Sequence, residues 1–154
     1  MIRLTKIADY GVVLMSHIAA EPGHLHTATA LSREAHVAVP TVSKVLKILQ
    51  RSGLLVSHRG ATGGYALARE PGDISVAEVI SAMEGPIAVT ECVEDSPGEC
   101  SVEDVCRIRG SWQRINDAVR AALEGINLEE MAESFHHDSP SSSENLVHIR
   151  GHAL

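Results

Sequence analysis

Pro40-Thr41-Val42-Ser43-Lys44-Val45-Leu46-Lys47-Ile48-Leu49-Gln50-Arg51 is the stretch on which the fold turns. Val42, Val45, Leu46 and Leu49 stand at i, i+3, i+4 and i+7, which makes one buried stripe along an α-helix. Lys44, Lys47 and Arg51 project from the opposite side, and Thr41 and Ser43 flank the N-terminal end. Proline suits the first turn of such a helix, where its missing N–H has no intrahelical partner to lose. A helix with an apolar back and a cationic front can enter a DNA major groove with its N-terminal residues near base edges. A merely solvated face carrying lysines reads the same way in isolation, so the neighbouring segments decide.

Upstream, Ile7, Tyr10, Gly11, Leu14 and Ile18 recur at helical spacing and predict a first helix over roughly residues 4–20. Glu21-Pro22-Gly23 stops it. Thr27 is placed to cap a short second helix, 28–35, and a turn at 36–39 completes a helix-turn-helix. Downstream, residues 54–58 and 65–68 read as two strands around Arg59-Gly60-Ala61-Thr62-Gly63-Gly64, a glycine-rich turn beside a cation. Glycines there let main-chain N–H groups approach a phosphate. They do not form a phosphate-binding P-loop, since no Gly-Lys-Ser/Thr follows and no helix opens. A hairpin directly after a helix-turn-helix is a wing. The predicted fold is mainly α: a winged helix-turn-helix with a two-stranded wing and a long C-terminal dimerisation helix.

The whole chain of 154 residues is 44% hydrophobic and 21% charged, the balance of a globular domain. Aromatics are only 3%, so the core must be aliphatic. No apolar run is long enough for a bilayer and no signal-peptide core follows Met1, which predicts a cytoplasmic protein without membrane contact. The net charge of −7 hides an asymmetry. Residues 1–70 hold eight basic and four acidic groups, a balance of +4, whereas 71–154 hold five and sixteen, a balance of −11. A basic part joined to an acidic part points to two tasks, with phosphate the partner of the first.

In the acidic part, Ser75-Val76-Ala77-Glu78 is a capping box that opens a helix ending at Met83 or Glu84, before Gly85-Pro86. Residues 87–99 read as a loop. Ser101-Val102-Glu103-Asp104 resembles a second capping pattern and predicts a long helix from there to about Leu123. Its stripe of Ile108, Trp112, Ile115, Val119, Ala122 and Leu123 exceeds what so small a module can cover, which predicts a second copy in two-fold symmetry. Asn127 is placed to cap a last helical turn, 128–134. The remainder, through His136, His137, His148 and His152, reads as a polar, disordered tail. The division expected is 1–70 for DNA, 71–133 for a ligand-bearing loop and dimerisation helix, and 134–154 for the tail.

Cys92, Cys100 and Cys106 all lie in that loop or just beyond it, with seven and then five residues between them. This is neither a zinc-knuckle nor a thioredoxin spacing. Glu91, Glu94, Asp95, Glu99, Glu103 and Asp104 surround them, which argues against core cysteines. The same carboxylates disfavour a reactive free nucleophile, whereas a bound metal would hold the thiolates deprotonated. Soft thiolates on a loop suit an iron–sulfur cluster; three incidental thiols are the bland alternative. No nucleophile–base pairing or dinucleotide fingerprint is present, and His17, His24, His26, His36 and His58 are scattered over surface and turn positions, so no enzyme is expected.

Several of these motifs together resemble the Rrf2 family of winged-helix iron–sulfur regulators, with its IscR, NsrR and RirA branches, over about residues 1–133. They are Arg3-Leu4-Thr5-Lys6-Ile7-Ala8-Asp9-Tyr10, residues 40–47, the wing through Tyr65, Ile74-Ser75-Val76-Ala77-Glu78-Val79-Ile80, Glu84-Gly85-Pro86 and the spaced cysteines. The branch most similar is the one that regulates the SUF cluster-assembly genes. The resemblance implies a homodimeric repressor on a palindromic operator in double-stranded DNA. It implies contacts from Thr41, Ser43, Lys44 and Lys47, from Arg59, Thr62, Gly63, Gly64 and Tyr65 of the wing, and from Arg3 and Lys6. It also implies cluster ligation by Cys92, Cys100 and Cys106, a four-iron cluster being favoured over a two-iron one. The IscR pattern has a histidine three residues after the last cysteine, where this chain has Arg109, which cannot ligate. The NsrR pattern uses an aspartate of the other subunit's first helix, and Asp9 occupies that place. The interval between Cys92 and Cys100 is longer than the family's commonest one. Two alternatives stay open on the residues alone: a zinc-bound or thiol-redox regulator without a cluster, and an iron–sulfur assembly scaffold that does not bind DNA.

Overall fold

Side-chain caps set the helix starts. In the computed structural model, which describes residues 3–93, 96 and 99–137, Thr5 Oγ1 accepts from the Ala8 N–H at 3.3 Å and opens α1 (Lys6–Ala20). Thr27 accepts from the Ala30 N–H at 3.1 Å and opens α2 (Ala28–Glu34). No side chain caps α3 (Val39–Arg51), whose first turn carries Pro40 as anticipated. Ser75 and Glu78 form the full capping box of α4 (Val76–Glu84), and Asn127 Oδ1 accepts from the Glu130 N–H at 3.0 Å to start α6 (Leu128–His137). Each such cap is worth about 0.5–2 kcal/mol. At the turn before α3, His36 takes φ 53°, a left-handed conformation that reverses the chain between the two helices.

The wing pairs β1 (Leu55–His58) antiparallel to β2 (Gly64–Leu67), from Leu55 opposite Leu67 to His58 opposite Gly64. His26 adds a bridge on the far side of β2: its N–H donates to the Tyr65 carbonyl at 2.9 Å and its carbonyl accepts from the Tyr65 N–H at 2.8 Å. The backbones come so close that a Cβ on Gly64 would stand 2.8 Å from the His26 carbonyl oxygen. A Cβ on Gly63 would meet the His58 carbonyl at 2.3 Å. Both glycines are therefore required by the wing's own packing.

One core joins the two sequence halves. Leu14, Met15 and Ile18 of α1 pack with Leu31, Val42, Val45, Leu46 and Leu49, and equally with Ile74, Val79, Leu128 and Ala132 from beyond residue 70. The Val42–Leu49 stripe is buried throughout, as its period requires. After a 3-10 turn at Pro71–Asp73 the chain pairs with its own later segment, Val76 N–H to the Ile126 carbonyl and Leu128 N–H to the Ile74 carbonyl, both at 2.9 Å. This lays α6 against α1. There the Phe135 ring packs against the His17 ring at a 50° tilt, with the centroids 4.5 Å apart. Burial pushes the His17 imidazole below its ordinary value; nearby Glu34 opposes that and His26 adds to it.

Four expectations need correction. The long helix α5 runs Arg109–Glu124 and does not begin at Ser101. Ser101 caps nothing; Glu103–Val105 forms a single 3-10 turn, and the Glu103 carboxylate is taken by Arg109 at 2.7 Å. The last helix continues to His137 because Phe135 finds a partner in His17, so residues 134–137 are not tail. His26 is buried and His17 mostly so; neither is a scattered surface histidine. Cys92 is a buried cysteine with only 7% exposure, because it follows the apolar Ile87-Ala88-Val89 and packs beside buried Val93, while Glu91 points outward. The tail expected over 138–154, with His148 and His152, lies outside the described residues.

Candidate nucleic-acid interface and cysteine site

The exposed face of α3 carries Lys44 and Lys47, with Thr41 and Ser43 half-buried at its edges. Helix α2 packs on the buried side of α3, through Leu31 against the Val42–Leu49 stripe, and the α3 C-terminus runs into β1, so the cationic helix face and the wing turn are fixed to one core. Arg59 and Thr62 are exposed at the turn; Gly63, Gly64 and Tyr65 are half-buried, Tyr65 against the core. Arg3, Lys6 and Asp9 are exposed around the start of α1. These side chains occupy three separate segments, the N-terminal arm, α3 and the wing.

Helix α4 is keyed to the basic part at both ends. At its start, Arg69, at the foot of the wing, pairs with the Glu78 carboxylate and donates to the Asp73 carbonyl at 2.8 Å. Burial pushes the Glu78 carboxyl up, but the Ser75 N–H, the Arg69 guanidinium and the Ser75 hydroxyl together pull it below the usual carboxylate range. At its end, Glu84 Oε1 accepts from both the N–H and the hydroxyl of Thr5, at 2.8 and 2.6 Å. Glu84 thereby clasps the first turn of α1, one turn before Asp9.

The three thiols follow directly. All are free; Cys92 is buried, and Cys100 and Cys106 are half-buried. Cys92 Sγ shares a hydrogen bond with the Thr90 hydroxyl at 3.3 Å. Cys100 and Cys106 bracket the 3-10 turn: the Cys100 carbonyl accepts from the Glu103 N–H at 3.2 Å, and the Cys106 N–H donates to the Glu103 carbonyl at 3.3 Å. Arg109, in the position where a histidine would ligate, is held by Glu103. Among the described residues no three His, Cys, Asp or Glu side chains gather as a metal site, so the thiols share a segment without converging.

Sequence reading missed three residues here: Glu84, Arg69 and Asn116. Asn116 is fully buried on α5 and accepts from the Val89 N–H at 3.0 Å. Its signal was present, since it stands in one stripe with Trp112, Val119 and Leu123, a lone amide among apolar residues. The partners of Glu84 and Arg69 lie 79 and 9 residues away, and no local pattern encodes such pairings.

A profile of the Rrf2 family, described as an iron-dependent transcriptional regulator, matches residues 4–134. The chain belongs to the Rrf2 family. Among its Rrf2 relatives, the HTH-type transcriptional regulator CymR of Bacillus subtilis is 32% identical over 131 residues, spanning 84% of this chain and 89% of that protein. The HTH-type transcriptional regulator IscR of Cronobacter sakazakii is 31% identical over 131 residues, 84% and 79% of the two chains. The structure of CymR, described as the global cysteine regulator of B. subtilis, superposes with a TM-score of 0.71 at 30% identity and covers 87% of this chain and 98% of that one. This Rrf2 chain is a DNA-binding transcriptional regulator with a winged-helix fold, and not an enzyme. Among the described residues no helix is long and apolar enough to cross a membrane.

Proposed function

We propose that the chain is a homodimeric repressor that senses an iron–sulfur cluster and controls SUF-type cluster-assembly genes or iron- and redox-responsive genes. The observation that carries this reading is the placement of three free thiols on the segment leaving α4, a helix tied to the wing through Arg69–Glu78 and to the start of α1 through Glu84–Thr5. A change of the thiol segment thus has a path to two DNA-facing elements. Residues 1–70 supply the DNA contacts: α3 enters the major groove with Thr41, Ser43 and Lys44 toward the bases and Lys47 on the flanking phosphate, Arg59 and Thr62 meet phosphate, and Arg3 and Lys6 lie along the backbone. Gly63, Gly64 and Tyr65 bring the wing turn close. Residues 71–133 supply the sensing loop and the dimer helix.

Three thiolates are soft donors whose chemistry fits iron. Cys92, Cys100 and Cys106 would hold the cluster, four-iron in preference to two-iron, and the exposed Asp9 of the second copy is the acid we assign as the fourth ligand. When bound, the cluster supplies iron–thiolate bonds that are open to oxygen, nitric oxide and iron scarcity. This chain's own residues do the rest: Glu84 fixes the first turn of α1, and Glu78 fixes the foot of the wing. A coupling of about 1–3 kcal/mol between loop and DNA would change operator affinity roughly 5- to 150-fold.

Anaerobic purification with a visible spectrum and iron and sulfide counts per chain tests the reading. A brown protein with acid-labile sulfide is expected. Replacing Cys92, Cys100 or Cys106 by Ala should abolish the visible absorption while leaving the helical circular dichroism intact; unchanged absorption would overturn the assignment. A second reading, a thiol-responsive regulator without a cluster, is favoured by the likeness to a cysteine regulator and by the absence of a gathered ligand set among the described residues. It predicts a colourless protein whose DNA affinity follows the oxidation state of its cysteines.

A further inference from the structure

Asn116 is the one residue of α5 that the fold buries completely, and it is polar. Its Oδ1 accepts from the Val89 N–H at 3.0 Å, and its Nδ2 is buried with no partner among the described residues. The amide cannot be turned over to relieve this, because Nδ2 would then face the Val89 N–H and oppose donor to donor. Both polar atoms hang on one carbon, so the unpaired donor lies at the loop that leads to Cys92. Three residues on, Cys92 is itself buried, with Thr90 beside its sulfur. Native proteins leave few buried donors unpaired, and those that remain call for an acceptor or a functional role.

We infer that Asn116 is a positioning residue of the thiol site: its Oδ1 holds the loop at Val89, and its Nδ2 donates to an anionic sulfur, the Cys92 thiolate or a group bound to it, when the site takes up metal. The inference rests on reading the cysteines as metal ligands. Hydrogen bonds from outside the ligand set orient sulfur ligands and strengthen binding, and their loss typically costs about 10- to 100-fold in metal affinity. Trp112 and Val119 flank Asn116 along the helix, and α5 contributes no residue to the main core, so Asn116→Ala removes none of that core's contacts.

The test uses the metal-free, full-length chain under anaerobic conditions, with Co2+ alone as probe. Asn116→Ala removes both functions: alkylation of Cys92, followed by peptide mass, should accelerate about tenfold while Cys100 and Cys106 keep their rates. Asn116→Asp keeps the acceptor for Val89 but puts an oxygen where the donor was. Its Cys92 should stay as slow to alkylate as in the native chain, while Co2+ affinity falls at least about tenfold and the thiolate-to-cobalt charge-transfer band weakens. Should the buried carboxylate prevent folding, Asn116→Ala carries both readouts. Native-like cobalt binding in N116D, or in N116A if N116D does not fold, overturns the donor role, and an unchanged Cys92 rate in N116A overturns the clamp. A native chain that takes up no cobalt overturns the donor role as well. A native chain that shows the cobalt–thiolate band yet carries no iron or sulfide after anaerobic purification overturns the cluster reading and leaves this inference in place.

Discussion

Glu78 shows how one carboxylate serves the fold and the site together. It closes the capping box of α4 with Ser75 and receives Arg69 from the foot of the wing. Because these partners hold its carboxyl below the ordinary value, the folded chain binds that proton more weakly than the unfolded one. The stability it contributes is complete above the ordinary carboxylate range and is lost as pH falls through the lowered value. Glu78→Gln should therefore flatten the acid limb of stability against pH, as read by urea unfolding midpoints between neutral pH and about pH 3. On the DNA side, Lys47 stands exposed on the free face of α3. Lys47→Ala should weaken operator binding for all sequences alike and lower the slope of log affinity against log salt by about 0.9, as expected for one lost phosphate contact. An unchanged slope in a fluorescence-anisotropy salt series would remove α3 from the phosphate backbone.

The wing is an element built from outside itself. Two four-residue strands are a marginal hairpin, and here the His26 backbone bridges β2 on its open side. That third rung demands a residue without a side chain at position 64. Gly64→Ala forces a Cβ against a carbonyl that belongs to rigid backbone, and should cost about 1–3 kcal/mol, measured by chemical denaturation. Amide exchange in residues 55–67 should quicken with it; an unperturbed wing would show that the His26 rung is dispensable. The sequence located this hairpin to within a residue at each end, since short apolar runs on either side of a glycine-rich turn are a local signal. It did not disclose the rung, because His26 and Tyr65 meet only after α2 and α3 have folded between them.

For the whole molecule, the unfinished surface is α5. Ile108, Trp112, Ile115, Val119 and Ala122 recur at alternating steps of four and three, the seam spacing of paired helices. Ile108 is 56% and Ile115 44% exposed, and Ile126 just beyond the helix is 40% exposed. So many large apolar side chains on one face call for a covering partner, and a second copy satisfies both this seam and the assignment of Asp9 to a neighbour's thiol site. Ile115→Glu should convert a dimer to a monomer in sedimentation velocity without loss of helix. A variant that remains dimeric would move the interface elsewhere.

What the sequence determined by itself was whatever is written at short range. Helical periods placed α1 and α3, and a capping box with Gly85-Pro86 bounded α4; Thr27, Ser75 and Asn127 marked helix starts; and the cationic-fronted stripe on residues 42–49, together with the hairpin after it, distinguished a winged helix-turn-helix from a plain bundle. The start of α5 was misread because a capping pattern is only a local offer: the chain takes a 3-10 turn at Glu103–Val105, and α5 opens at Arg109 with no side-chain cap. Only the tertiary structure decided that Cys92 is buried, that Glu84 clasps Thr5, and that Asn116 pins Val89. Those are contacts across 27 to 79 residues of chain, or burial under neighbours from distant segments, and no local propensity fixes them. They exist because one aliphatic core draws both halves of the chain around α1.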